Sequence, residues 1–149
     1  MLKEILQTDD TTGFMFLRLS LGIVMFFHGA SKALGWFGGA GFEQTVEVFK
    51  TALGLPSFVV IMIIVVEFGG SIAIILGLLT RIASLGIAVN IGVCAYFNHL
   101  QHGFFMNWFG VQAGEGYEYH ILVLGICFAL IVKGAGAFSV DRIISGKLK

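Results

Sequence analysis

This chain is short of charge. Acidic and basic side chains make up 12% of its 149 residues while 57% are hydrophobic, and ordinary soluble domains carry about a quarter charged. With a mean hydropathy of +0.93, a water-exposed globule is excluded. The nine basic and nine acidic residues cancel, which removes the basic footprint that nucleic-acid binding requires. Cysteine is scarce too, and Cys94 and Cys127 do not form C-x-x-C, so the usual dithiol redox motif is absent. The chain also lacks a nucleotide-binding glycine motif, a haem-attachment motif, internal repeats and low-complexity tracts.

What is there is a series of apolar runs, and the length suits a single domain over 1–149. Runs at about 13–34, 57–80, 82–98 and 119–133 read as membrane spans, the last two short unless flanking residues extend them. The first is not a signal peptide, because it holds Arg18, His28 and Lys32 and leads into Trp36 and Phe37 with no small-residue cleavage site. Four crossings put both termini on one side. Lys3, Arg18, Arg81, Lys133, Arg142, Lys147 and Lys149 fall on that side and only Lys32 and Lys50 on the other, so the positive-inside rule predicts cytoplasmic termini. Cys94 and Cys127 then lie at similar depths, and a cross-helix pair stays open beside the reading of two small buried apolar residues.

The two longer connections face outward on this reading. In the first, Phe42, Val46, Phe49 and Leu53 recur at helical spacing before Gly54 and Pro56, which predicts an amphipathic interfacial helix over about 42–53. The second, His99 to Glu118, is rich in aromatics and glycine and reads as a headgroup anchor or a lid. Ser139 is placed to N-cap a short basic helix at the carboxyl end.

An ionisable group inside a bilayer costs about 2.5 to 3.5 kcal/mol on insertion scales, so each needs a partner or a purpose. Glu67 falls near the midplane, on a stripe with Ile63, Gly70, Ile74, Gly77 and Arg81, whose glycines would let a neighbouring helix approach. Arg18, Leu21, Met25, His28 and Lys32 share one face of the first span, with Arg18 read as a snorkelling anchor. The third span offers Ala88, Gly92, Ala95, His99 and His102. The fourth offers Glu118, Leu122, Gly125 and Ala129, with His120 facing the other way. His28, Lys32, Glu67, His99, His102 and Glu118 can thus line one outward-opening polar pocket. The bland reading is a set of ion pairs, for instance Lys32 with Glu118. A quinone suits the apolar walls and the deep carboxylate best. Haem on His28 and His99, or a metal on His99-x-x-His102, stays open.

The runs RLSLGIVMFFHGASKALGWFGGAGFEQT, ALGLP, EFGGSIAIILGLLTR, HLQHGFF, EYHILVLG and GAGAFSVDRI, in that order from about Phe16 to Ile143, resemble the successive motifs of the DoxX family. His28, Gly29, Lys32, Gly38, Gly39, Glu67, Gly69, Gly70, Thr80, Arg81, His99, Gly103, Phe104, Glu118, Tyr119 and Asp141 each match that pattern; Ala135 stands where the family often has proline. The resemblance implies a small four-span protein of the prokaryotic inner membrane, associated with oxidoreductase systems. Namesake relatives are similar to a subunit of a thiosulfate:quinone oxidoreductase, and others are linked to sulfur and oxidative-stress metabolism with soluble redox partners.

The expectation is therefore an all-α, integral-membrane four-helix bundle serving as the membrane subunit of a quinone-linked redox complex. His28 and Glu67 are the expected proton-handling pair, and Lys32, His99, His102, Glu118 and Tyr119 the expected ligand-binding set. Its partners would be the lipid bilayer, redox subunits and a quinone, with a homo-oligomer also open. The alternatives are a non-enzymatic small-molecule carrier or transporter and a structural scaffold.

Overall fold

The computed structural model describes residues 2–8 and 10–147, without the side chains of Leu2 and Lys3. Lys149 and the Lys3 side chain, both part of the basic bias, lie outside the described residues. Among these the chain is all-helical with no strand: α1 (Leu2–Leu6), α2 (Thr12–Leu34), α3 (Gly41–Leu53), α4 (Ser57–Leu76), α5 (Thr80–Cys94), α6 (Glu118–Lys133) and α7 (Val140–Lys147). Three helices are long and apolar enough to cross a bilayer: Thr12–Leu34, Ser57–Leu76 and Thr80–His102, the last counting the tighter and wider turns that continue α5. At 16 residues α6 is about 24 Å long.

Helix stops follow the glycines. Gly35, Gly54 and Gly77 end α2, α3 and α4 in the left-handed conformation, which costs glycine nothing. The stop at Gly77 shortens the expected second span by a few residues and moves Arg81 from its stripe onto α5. Leu79 also takes positive φ, and the turn is held from far along the chain: Asp141 accepts the backbone N–H of Leu79 at 2.7 Å and of Thr80 at 2.9 Å. A carboxylate there both caps α5 and complements its helix dipole.

Arg18 corrects the snorkelling expectation. It is 2% exposed, and its guanidinium donates to the carbonyls of Ile75 at 3.0 Å, Phe138 at 3.1 Å and Ala137 at 3.3 Å. Five fixed donors suit arginine to tying several orphan carbonyls at once. Arg81 does similar work nearby, donating to Ile131, to Val132 at 2.8 Å and to Gln7 at 2.9 Å. Arg142 pairs with Asp10, and Ser139 caps α7 through the N–H of Arg142 at 3.3 Å. Both terminal segments therefore meet at this end of the bundle.

Packing is inverted relative to a soluble protein. A narrow seam of Leu21, Met25, Ile74, Ile87, Ile91, Val123, Cys127 and Leu130 is buried, while Phe16, Phe58, Met62, Val65, Val89 and Phe128 lie exposed. An apolar outer surface of that extent needs a non-aqueous surrounding. Against expectation, α6 buries His120, Val123, Cys127 and Leu130 and turns Leu122 and Gly125 outward. Close helix approach also comes from elsewhere than Gly70, which meets only the Ile87 side chain; a Cβ on Gly29 of α2 would lie 2.5 Å from the Phe68 backbone of α4.

Candidate functional site

A carboxylate midway along an apolar helix must find cover, and Glu67 finds it inside the bundle at 6% exposure. Its Oε2 is ion-paired with the ammonium of Lys32, which is 22% exposed. Its Oε1 accepts the Asn90 side-chain amide at 2.8 Å. The backbone contact at Gly29 and Phe68 brings Lys32, one helical turn further on, over Glu67. Three helices, α2, α4 and α5, thus supply one polar cluster.

His28 stands one helical turn before Lys32 on α2, exposed, 6.2 Å ring to ring from Tyr119 of α6. Tyr119 directs its hydroxyl toward the Met25 sulfur at 3.9 Å and lies 5.5 Å from the His120 ring. The His120 ring in turn lies 4.2 Å from that of His99, tilted by 43°. Tyr119 therefore links two groups: His28, Lys32, Glu67 and Asn90 on one side, and Cys94, His99 and His120 on the other.

The second group depends on an irregular turn. In a regular α-helix residue 99 would lie about 140° round from residue 94, at 100° per residue. The chain instead widens into a π-turn over Ala95–His99, whose i to i+5 bonding swings residue 99 back over residue 94. Asn98 donates to the Cys94 carbonyl at 3.4 Å within that turn. One ligand atom each of Cys94, His99 and His120 then lies within 4.8 Å of the others. Both cysteines are free thiols, and Cys127 sits in the apolar seam.

His102 and Glu118 are placed elsewhere. The His102 ring packs on Gly114, where a Cβ would sit 2.5 Å from it. Glu118 turns toward its own loop and accepts the N–H of Met106 at 2.9 Å and the indole N–H of Trp108 at 3.1 Å, so it is not the partner of Lys32. Neighbouring Glu115 accepts the Asn107 N–H at 2.7 Å. The aromatic loop is thereby folded onto two carboxylates. Asn90, Cys94 and His120 are the cluster residues that sequence reasoning did not single out for it. The cost of placing an amide in the apolar run IAVNIGV is the signal that points to Asn90.

Apolar outer walls around a buried ionic cluster define a helical membrane protein. The chain belongs to the DoxX family: the family model described as DoxX matches residues 13–100, more than half of its length. It is 30% identical over 138 residues to Inner membrane protein YqjF of Escherichia coli (strain K12), covering 93% of this chain and 96% of that protein. It is 35% identical over 79 residues to "Putative oxidoreductase CatD" of Bacillus subtilis (strain 168), covering 53% of this chain and 54% of the relative. No solved structure matches.

Proposed function

We propose that this DoxX-family chain is the membrane subunit of a quinone-linked oxidoreductase complex, crossing the prokaryotic inner membrane four times with both termini in the cytoplasm. The crossing by α6 is supported by its reach along α5: its last carbonyls meet Arg81 at the start of α5, and His120 near its start packs against His99 past the end of α5. The location is supported by the name of the Escherichia coli relative and the redox role by that of the Bacillus subtilis relative.

The observation that carries the reading is the Lys32–Glu67–Asn90 cluster, deep between helices and flanked by an exposed histidine. Quinone chemistry moves protons with electrons, and a membrane subunit must hold and pass those protons inside an apolar wall. Glu67 is the proton-holding group, with Lys32 supplying the countercharge. His28 would hydrogen-bond the quinone oxygen at the lipid-facing side, with the Tyr119 ring 6.2 Å from it. The electrons come from a partner subunit.

The test is quinone content. Protein purified gently from its own membranes should retain about one quinone per chain, detected by extraction and mass spectrometry, and His28→Ala or Glu67→Gln should lower this at least tenfold. An empty wild-type protein whose tryptophan fluorescence also shows no saturable change with a short-tailed quinone overturns the reading. One observation favours a second reading, a non-enzymatic carrier or scaffold: both oxygens of Glu67 already have partners.

A further inference from the structure

The proposed quinone site rests on His28, Lys32, Glu67 and Tyr119 and leaves the cluster of Cys94, His99 and His120 without a role. Its donor set is one sulfur and two imidazole nitrogens, with ligand atoms within 4.8 Å of one another. His120 is 5% exposed, and its Nδ1 is buried with no hydrogen-bond partner. An orphaned imidazole nitrogen at that depth forgoes a hydrogen bond that buried polar atoms normally make. We propose that Cys94, His99 and His120 bind a zinc-type divalent ion, with a fourth position left open beside them.

Three features of the site fit a metal. His99 engages the Glu115 carbonyl through Nδ1 at 2.9 Å. With the proton on Nδ1 as donor, Nε2 is left as a free base, the arrangement that commonly orients a ligating histidine. The π-turn over Ala95–His99 places His99 on the Cys94 face, and such turns gather at functional sites. Beside His120 an open groove of about 270 Å³ runs between α5 and α6, lined by Gly92, Ala95, Tyr117 and Leu124 among others. A zinc site with three protein ligands keeps its fourth position for water or substrate, and the groove reaches the cluster at His120.

The distances require only a small closure. Tetrahedral bonds of about 2.0 to 2.3 Å put ligand atoms roughly 3.3 to 3.6 Å apart, so a contraction of about 1 Å by side-chain rotation completes the set. Binding forms a metal–thiolate bond and releases the Cys94 proton to solvent, so affinity rises with pH. His102 and Cys127 lie outside the cluster and serve as controls. The site is independent of the quinone reading.

The experiment uses the full chain in detergent, stripped with a chelator and titrated with Zn(II), and with Co(II) as a coloured substitute. Saturable binding of about one ion per chain is expected, with a cobalt–thiolate charge-transfer band. Cys94→Ser should remove the band, and His120→Ala should weaken binding at least tenfold, while His102→Ala and Cys127→Ser leave both unchanged. A readout free of any variant is protection: Zn(II) should slow alkylation of the wild-type Cys94 thiol at least tenfold. Wild-type protein that shows no saturable cobalt binding and no protection, or a band that survives Cys94→Ser, overturns the proposal.

Discussion

Gly29 of α2 lies so close to Phe68 of α4 that a Cβ there would stand 2.5 Å from the Phe68 backbone nitrogen. This crossing sets the distance between the two helices and with it the seat of Lys32 on Glu67. A methyl group in a helix interior ordinarily helps by about 1 kcal/mol relative to glycine. At Gly29 the sign should reverse, because overpacking against backbone costs about 1 to 3 kcal/mol. Gly125, with nothing within 4 Å, keeps the ordinary sign. Thermal unfolding in detergent should therefore show Gly29→Ala less stable than wild type and Gly125→Ala equal or more stable. Equal melting temperatures for both variants would show that the helices are not in backbone contact.

The ion pair makes a second, asymmetric prediction. Lys32→Met leaves the more deeply buried partner, Glu67, without its countercharge. Removing one partner of a buried pair costs about 3 to 5 kcal/mol, whereas replacing both by apolar residues is often neutral. Lys32→Met should lower stability more than Glu67→Gln, and Lys32→Met with Glu67→Leu should recover most of the loss. The check is a double-mutant cycle on unfolding in detergent. A double variant no better than the worse single one would sink this account of the pair.

Much of this cluster was legible in the residues and some was not. A carboxylate inside FVVIMIIVVEFGGSIAIILGLL has to turn inward, and Glu67 does. Its partner was not legible, because Lys32 reaches it only through the helix crossing at Gly29, and spacing along one chain says nothing about crossings. The buried face of α6 escaped for a related reason. A helix that is apolar nearly all round carries little periodic signal, so the stripe of Gly125 and Ala129 was no better marked than that of His120, Val123 and Cys127. The π-turn at Ala95–His99 is a departure from regular geometry that no apolar period announces, and it decides that His99 joins Cys94 and His120.

Arg18 yields a third prediction, since it joins the end of α4 to the turn before α7. Its guanidinium satisfies carbonyls of Ile75, Ala137 and Phe138, and hydrogen bonds from a charged donor contribute about 1.5 to 3 kcal/mol each. Lysine keeps the charge but loses the fork, so Arg18→Lys should destabilise almost as much as Arg18→Met, by roughly 3 kcal/mol. An anchoring role at the membrane surface predicts the opposite, full rescue by lysine. Melting temperatures of the two variants in detergent separate the cases.

Glu118 fixes the aromatic loop that runs from Gly103 to the start of α6. Its carboxylate takes the Met106 N–H and the Trp108 indole, while its own backbone N–H donates to Phe104 at 2.9 Å. Glu118→Ala removes only the side-chain acceptor, so α6 should still form and the loop should loosen. Phe104, Phe105, Trp108 and Phe109 are exposed aromatic residues on that loop, and each is a chymotrypsin site once the backbone can enter a protease cleft. Cleavage between residues 104 and 109 should quicken at least fivefold in Glu118→Ala, with helix content by circular dichroism unchanged. Glu118→Gln, which retains an acceptor oxygen, should fall between the variant and wild type. If cleavage is equally slow in all three proteins, the loop is held by its backbone bonds to Tyr117 and Glu118 and not by the carboxylate.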